Sequence, residues 1–432
     1  MADITIDGTT IGANRFLILD STGKIPAVDG SLVTTIAAGN IATGTIPVAR
    51  IDTGSTANKI VVLDGSGRLP AVSGALLTNV SSSTKSASDP TISTNPSGGV
   101  GTEWHNTTSG EAYICTDATA GGNIWTNVGA GSGNVQPWLF QGTNYGYHFG
   151  AGPDYSPNNG SLQKISFTSD GNSTNVANNT QGRDTWAGCT GDTHGYCCAG
   201  YNAGVHYNIV DRFAYAADSS FSDVGDLTAT KRSVGASNNK TYGYIHGGYS
   251  GGTINVIERI QLVATANAAD VGDLSVARNY PGGNSDVGNS YGYCTGGYPG
   301  TNNTIDRYQM QASSNAVDVG DMIYPQASHA NQSTETYGYQ SGGGEPSQSN
   351  YIRKFAFGSS ITSTDVGNLT VARYDLTGVT STTYGYCMGG IWPDSNNTII
   401  EKFTLASDAN ATDVGDLVMV GGRYNGPTGA QY

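Results

Sequence analysis

The sequence predicts an all-β protein, and three features of its composition support that class. The helix formers Glu, Lys, Gln, Met and Leu are scarce, while Thr, Ser, Gly, Asn, Val and Tyr, which favour strands and turns, are common. Glycine occupies 62 of the 432 positions, and 37% of the residues are hydrophobic, which is enough to build a core. Charged residues make up only 12% of the chain, about half of the usual ~25%, so a solvated disordered chain is not expected.

The charge and the apolar pattern exclude several functions. A net charge of −14 argues against a surface that binds the phosphates of DNA or RNA. No apolar run approaches the ~20 residues of a membrane-spanning helix, and the start MADITIDGTT lacks the basic and apolar regions of a secretory signal. The six cysteines form no CxxC motif and no zinc-ligand spacing with histidine. We therefore expect no nucleic-acid partner, no membrane insertion, no metal and no cofactor.

A repeat of about 47 residues fills the C-terminal two thirds of the chain. Steps of 49, 48, 49, 46 and 47 residues separate the copies of YGY or a close variant, which begin at Tyr145, His194, Tyr242, Tyr291, Tyr337 and Tyr384. An alternating apolar and polar phrase such as INVIERI follows each copy, as expected of a half-buried strand. A DVGDL-type phrase comes next, beginning at Asp223, Asp270, Asp318, Asp365 and Asp413. The period predicts four short strands per unit and a six-bladed β-propeller over residues 134–432.

The two ends of this repeat region are expected to meet in one blade. The last unit stops soon after Arg423, where no clear strand pattern remains. The segment NVQPWLFQGT (134–143), which precedes the first YGY, is the expected source of the missing strand. Pairing the two ends within one blade would remove an open sheet edge.

The unit resembles the kelch or galactose-oxidase-type repeat. The resemblance rests on the aromatic strand that ends in Gly-Gly, on the alternating strand after it, and on a later Leu…Arg phrase such as LSVAR. The Trp that usually follows the second strand of a kelch unit is missing, and the equivalent stretch reads ATDVG. The resemblance implies the propeller fold, in a divergent form, and implies no particular partner.

A different repeat occupies the N-terminal part of the chain. ANRFLILDSTGKIPAVDGSLVTTI (13–36) aligns without a gap with ANKIVVLDGSGRLPAVSGALLTNV (57–80). One copy has too few large apolar residues to bury a core alone, so several chains are expected to supply it jointly. The phrases GKIPAVDGSLVTTI and IATGTIPVARI resemble bacteriophage tail-fibre shafts, in which three chains wind together. The resemblance implies that residues 1–80 form a trimeric shaft that attaches to other virion proteins.

Two short segments separate the shaft from the propeller. Residues 81–100 are rich in Ser, Thr and Pro and are predicted to form a linker. Residues 101–129 are expected to form a small β module with strands that end on Trp104, Tyr113 and Trp125. This segment resembles the small β modules found between the shafts and heads of phage fibres.

The candidate binding residues lie in the loops that follow the Gly pairs. These loops differ between units, and variable loops on a rigid repeat scaffold are where binding usually occurs. Aromatic faces beside Asn and Asp suit sugars, which offer both C–H faces and hydroxyl groups. The alternative is that these are ordinary solvent loops with half-buried tyrosines. The candidate glycan-binding residues are Tyr155, Tyr201, His206, Tyr249, Tyr298, Trp392 and Asp394.

The residues that recur between units are predicted to be structural. The YGY tyrosines are expected to pack between blades and to bond neighbouring backbone. The DVGDL aspartates are expected to cap backbone N–H groups rather than bind calcium, and the recurring arginines to pair with acidic residues. One repeat position holds a cysteine in three units and is predicted to be a buried packing site with a reduced thiol. These residues are Cys197, Cys294 and Cys387. The recurring arginines are Arg183, Arg232, Arg278, Arg373 and Arg423.

No catalytic constellation is found in the sequence, so an enzyme is not predicted. The histidines show no HxH or HExxH spacing, and neither the sialidase SxDxGxxW motif nor a GxSxG motif in a strand–elbow–helix context occurs. The sequence predicts a virion structural protein, a phage tail fibre that adsorbs to host-surface glycans as a homotrimer. It would assemble in the host cytoplasm and reside in the virion. The alternatives are a head fibre or capsid decoration protein, and a glycan-cleaving propeller enzyme of the sialidase or depolymerase type.

Overall fold

The computed structural model describes residues 21, 83–129, 134–135, 137–150, 160–300, 302–344, 347–391, 398–418 and 428–432. The chain divides into two compact units, Met1–Lys85 and Ser86–Tyr432. The predicted shaft lies outside the described residues apart from residue 21, so the shaft and the trimer remain predictions.

The described residues confirm the all-β class. They contain no α-helix, and one turn of 3₁₀-helix covers Tyr215–Ala217. No helix in the described part of the chain has the length and apolar character needed to cross a membrane.

A small sheet precedes the repeat region. Its strands, in sheet order, are β1 (Ser83–Ser86), β2 (Glu103–Asn106), β3 (Ala112–Asp117) and β4 (Ile124–Asn127). Tyr113, Cys115 and Trp125 are fully buried in its core, and Trp104 packs edge-on against Trp125 with ring centroids 5.8 Å apart. The Trp104 indole N–H also donates to the carbonyl of Ser88 at 2.9 Å. The segment before β2 is therefore hydrogen-bonded to this module.

Six further antiparallel sheets, numbered I to VI in chain order, contain the repeats. Sheet I contains β5 (Tyr145–Gly150), β6 (Ser161–Ser166) and β7 (Thr174–Ala177). Sheet II contains β8 (Ala187–Thr190), β9 (His194–Cys198), β10 (Tyr201–Asn202), β11 (Val205–Ala214) and β12 (Ser222–Lys231). Sheet III contains β13 (Gly235–Asn238), β14 (Tyr242–His246), β15 (Val256–Gln261) and β16 (Ala269–Asp273).

The last three sheets follow the same plan. Sheet IV contains β17 (Gly282–Asp286), β18 (Tyr291–Thr295), β19 (Thr304–Gln309) and β20 (Val317–Asp321). Sheet V contains β21 (Ala330–Ser333), β22 (Tyr337–Ser341), β23 (Tyr351–Ala356) and β25 (Thr364–Asn368), while β24 (Ile361–Thr362) pairs in parallel with β20 of sheet IV. Sheet VI contains β26 (Thr377–Thr380), β27 (Tyr384–Met388), β28 (Ile399–Thr404) and β29 (Thr412–Asp416).

The first strand of sheet I comes from the C-terminal residues. β30 (Ala430–Gln431) pairs antiparallel with β5, with Ala430 opposite Tyr147. The two ends of the repeat region thus share one sheet. The prediction that residues 134–143 supply the missing strand was wrong, because β30 supplies it. Within that segment Val135 bridges Trp125 of the small module, and Gly142 bridges Ser381.

Neighbouring sheets contact one another through their first strands. β8 contacts β13, β13 contacts β17, β17 contacts β21, and β21 contacts β26. β30 contacts both β26 and β8. Their fourth strands are also linked, because the N–H of Asp226 donates to Asn267 and that of Asp416 donates to Asn172, both at 3.0 Å.

The YGY motif packs as predicted. Its second tyrosine is fully buried, and the Tyr196 hydroxyl donates to the carbonyl of Leu262 in the next sheet at 2.6 Å. Its glycine makes room for an aromatic ring of the third strand, because a Cβ on Gly385 would lie 2.5 Å from the Phe403 ring. Each unit therefore buries one tyrosine against its neighbour.

The predicted roles of the recurring Asp and Cys residues are confirmed. The Asp223 carboxylate accepts from the N–H of Gly225 at 3.1 Å, and the later DVGDL-type phrases repeat this contact. Cys197, Cys294 and Cys387 are free and buried, and burial raises the pKa of each thiol to about 12.

The recurring basic residue forms a buried ion pair in most sheets. Arg183 Nη1 lies 2.7 Å from Asp211 Oδ2, and Arg278 Nη2 lies 2.6 Å from Asp306 Oδ2. Arg373 and Glu401 pair at 3.2 Å in sheet VI. In sheet III the buried cation is Lys231, so the prediction that Arg232 is the equivalent residue was wrong by one position.

Candidate functional site

Three of the predicted binding residues occupy one equivalent position in successive sheets. Tyr201, Tyr249 and Tyr298 each directly follow the pair of small residues at the end of the second strand. Each forms a backbone bridge with a residue that precedes the first strand of its own sheet, and these partners are Asp184, Arg232 and Asn279. The three tyrosines therefore lie at the same end of their sheets. We call this end, where loops join the second and third strands, the loop face.

Two sheets place their loop-face aromatics in direct contact. The rings of Tyr201 and His206 have centroids 5.5 Å apart, and those of His206 and Tyr249 lie 5.7 Å apart with an edge-on geometry. The Arg232 guanidinium lies over both tyrosines, 4.6 Å from the Tyr201 centroid and 5.2 Å from that of Tyr249. We call Tyr201, His206, Arg232 and Tyr249 the aromatic cluster.

A local extension of sheet II brings His206 into this cluster. β10 and the start of β11 form a hairpin in which Tyr201 lies opposite His206. The other sheets have no strand equivalent to β10 among the described residues. The hairpin therefore adds an imidazole ring beside a tyrosine that sheets III and IV also possess.

The ionisable groups of the cluster and its surroundings differ in protonation and in pairing. Burial, and then the positive charge of Arg232, lower the pKa of His206, so its ring is neutral at physiological pH. The described residues supply no carboxylate in ion-pair contact with Arg232. Burial raises the pKa of Asp184 to about 7. A hydrogen bond from Thr185 and the positive charge of Arg232 lower this pKa, but by less.

A series of backbone hydrogen bonds joins sheets II to VI beside the cluster. Its members stand just before the first strands and all have positive φ, from 53° to 57°; they are Thr185, Ser233, Tyr280, Ser328 and Asp375. From Ser233 onward, each N–H donates to the carbonyl of the preceding member, which gives four bonds of 2.7–3.0 Å. Asp375 is 2% exposed, and burial raises the pKa of its carboxyl to about 8. These hydrogen bonds connect the five sheets at the loop face.

Other aromatic residues of the loop face were not predicted. Tyr324 and Tyr351 stack with ring centroids 6.1 Å apart, and both lie over Arg353. They are 52% and 39% exposed. Tyr351 opens a third strand and Tyr324 precedes a first strand, so neither lies in the variable loop on which the prediction was based.

Of the other four candidates, one lies at the loop face and three lie outside the described residues. Tyr298 is 44% exposed at the loop face. Tyr155, Trp392 and Asp394 lie outside the described residues. The described ranges hold no cluster of His, Cys, Asp or Glu that could bind a metal ion.

Comparison with known proteins adds no assignment. No protein-family model matches the chain, and no curated protein matches it. The chemistry of the site therefore rests on its own geometry. Exposed aromatic faces can stack on the C–H faces of sugars, and a guanidinium beside them can hold a carboxylate or a hydroxyl group.

Proposed function

We propose that the six sheets are the blades of a closed six-bladed β-propeller. The cyclic contacts of the first strands support this arrangement, since β30 touches the first strands of both sheets II and VI. The bond from the Asp416 N–H to Asn172 links sheet VI to sheet I in the way that Asp226 and Asn267 link sheets II and III. Closure would leave no blade with an unpaired neighbour.

We propose that the chain is a virion structural protein, a phage tail fibre whose propeller head adsorbs to glycans on the host surface. The shaft-like repeats of residues 1–80 support a homotrimer that attaches to other virion proteins. Such a protein would assemble in the host cytoplasm and be released within the particle. Cryo-electron microscopy of the intact particle would distinguish a tail fibre from a head fibre or capsid decoration.

The aromatic cluster is the observation that supports glycan recognition. Two tyrosines, a neutral histidine and an unpaired arginine meet at one surface, the loop face. Each aromatic ring that buries apolar area against a sugar contributes on the order of 1 kcal/mol. Three heads on one trimer would raise the overall avidity through effective concentration.

The binding role can be tested on intact host cells. The purified full chain should bind the bacterium on which the particle grows, and mild periodate oxidation of the cell surface should abolish that binding because it destroys sugar vicinal diols. Protease treatment of the cells should leave binding unchanged. Binding that survives periodate but is lost after protease treatment would contradict a glycan receptor.

The glycan-cleaving alternative has one observation in its favour. Asp184 and Asp375 have raised pKa values of about 7 and about 8, and a general acid requires such a raised pKa. Each residue is only 2% exposed, which leaves little surface for contact with a substrate. Release of reducing sugar from host polysaccharide by the purified chain would favour the enzyme.

A further inference from the structure

Sheet III has two adjacent cations, Lys231 and Arg232, although its buried ion pair needs only one. In sheets II, IV and VI the buried ion pair uses an arginine, and the residue after it is Asp184, Asn279 or Tyr374. In sheet III Lys231 forms that pair, with its Nζ 2.6 Å from Glu258 Oε2. The charge of Arg232 is therefore not needed to neutralise the buried carboxylate of its sheet.

The aromatic cluster holds the Arg232 guanidinium in a fixed place. The rings of Tyr201 and Tyr249 contact it from two successive sheets, and the side chain is only half-buried. Its Nε is buried and has no hydrogen-bond partner in the described part of the chain, so a ligand would bind through the terminal Nη1 and Nη2 groups. A planar guanidinium with free N–H groups binds a carboxylate through two parallel hydrogen bonds.

The chemistry of the surroundings makes an anionic partner the best match. The chain carries a net charge of −14, so an unpaired cation at the loop face is a local exception to the overall field. A neutral sugar would use the tyrosine faces but would gain little from the positive charge. An acidic sugar would use both, because its ring and its carboxylate are only a few bonds apart.

We infer that the aromatic cluster binds an acidic sugar, a uronic or nonulosonic acid residue, with its carboxylate on Arg232 and its ring against Tyr201 or Tyr249. This inference rests on the proposed glycan-binding function. It adds the class of sugar and the residue that selects it. The contact is electrostatic and exposed to solvent, so binding weakens as ionic strength rises.

A glycan array with matched ligands tests this contact. The array carries oligosaccharides with uronic or nonulosonic acid residues, the same oligosaccharides after reduction of each carboxyl group to an alcohol, and neutral glycans. The full chain should bind acidic members and lose at least tenfold in affinity for their reduced counterparts. Because the carboxyl reduction alters only the ligand, this arm does not depend on how a variant folds.

Protein variants test the same contact from the other side. Arg232→Gln should lower affinity for the acidic glycans at least tenfold, and Arg232→Lys should lower it less, since it keeps the charge but not the planar fork. Arg259→Gln is the matched control: Arg259 is also half-buried, lies 4.6 Å over the ring of Tyr242, and changes the net charge equally. It should bind like the wild type. Thermal melts confirm that each variant is folded.

The outcomes separate this inference from the function on which it rests. Equal binding to acidic glycans and to their reduced counterparts would overturn the acidic-sugar assignment while leaving glycan binding intact. Equal losses in Arg232→Gln and Arg259→Gln would also overturn it, because they would reflect net charge alone. Failure of the wild type to bind any glycan on the array, together with periodate-resistant binding to host cells, would overturn both proposals.

Discussion

Lys231 and Glu258 form a buried ion pair, with 2.6 Å between Nζ and Oε2, in the place where sheet II pairs Arg183 with Asp211. Lys231 is 2% exposed and Glu258 is fully buried. The same carboxylate also accepts from the backbone N–H of Thr228 at 2.8 Å. The pair therefore connects the end of β12 with the third strand of sheet III. Lys231 immediately precedes Arg232 in the sequence.

Removing the cation of this pair should strongly destabilise the fold. Lys231→Met should lower the free energy of unfolding by about 3–5 kcal/mol, because it leaves the charge of Glu258 buried and unpaired. Lys231→Arg should retain most of the stability, since arginine fills this place in three other sheets. Urea unfolding followed by tryptophan fluorescence measures both. Arg232→Met is the neighbouring control, and an equal loss in that variant would contradict the assignment.

The C-terminal strand should be essential for the stability of the repeat region. Gly429 fits between neighbouring sheets, and a Cβ there would lie 2.3 Å from the carbonyl oxygen of Tyr147 and 2.7 Å from Val379. Gly429→Val should therefore displace β30 and lower the midpoint of thermal unfolding by several degrees or more. Gly252→Val is the control, because a Cβ on Gly252 meets nothing within 4 Å. An unchanged midpoint in Gly429→Val would contradict the pairing of the two ends.

The raised pKa of Asp375 predicts a pH-dependent contribution to stability. Burial raises this pKa from 3.8 to about 8, so between these values the folded state keeps a proton that the unfolded state has released. This group thus lowers the free energy of unfolding as pH rises from about 4 to about 8. Asp375→Asn removes the effect, and its stability relative to the wild type should rise by more than about 1 kcal/mol between pH 5 and pH 8.

Comparison of the two proteins isolates Asp375 from the buried histidines. The pKa values of His148, His246 and His329 are lowered to about 3 by burial, so these groups destabilise the fold as pH falls below about 6.5 in both proteins. Chemical denaturation at pH 5, 6, 7 and 8 gives the difference directly. A difference that does not change with pH would show that Asp375 is ionised in the folded state.

The N-terminal unit should determine the oligomeric state. The full chain should be a trimer in multi-angle light scattering, because the repeats of residues 1–80 have too few large apolar residues to form a core alone. A chain that starts at Ser83 keeps the small sheet and the six repeat sheets, and it should be a folded monomer. A monomeric full chain, or a trimeric truncation, would contradict the shaft assignment.

Most of the fold could be predicted from short sequence patterns. The spacing of YGY, the alternating third strand and the Asp and Gly of DVGDL report on single strands and turns, so sequence is enough to find them. The residues TGAQY near the C terminus show no alternation, so nothing marked Ala430–Gln431 as a strand. Their strand geometry comes from contact with β5 and the first strands of two other sheets.

The site was harder to predict because it forms between sheets. Tyr201 and Tyr249 are 48 positions apart in the sequence, and their meeting over Arg232 depends on how sheets II and III pack. The Lys-Arg doublet at 231–232 was the available signal. Alignment on the arginine gave that residue a structural role, whereas the buried ion pair belongs to Lys231. Tyr324 and Tyr351 were missed for the same reason, since they meet only after folding.

The most direct test of the account is the affinity of the loop face for host polysaccharide. Biolayer interferometry with immobilised polysaccharide from the host compares the wild type with Tyr201→Ala/Tyr249→Ala. The control is Tyr337→Ala, which removes a tyrosine that is 37% exposed at the opposite end of its sheet. The account predicts at least a tenfold loss of affinity in the double variant, from about 1 kcal/mol per stacked ring, and no loss in the control. Wild-type affinity in a folded double variant would contradict recognition by the loop face.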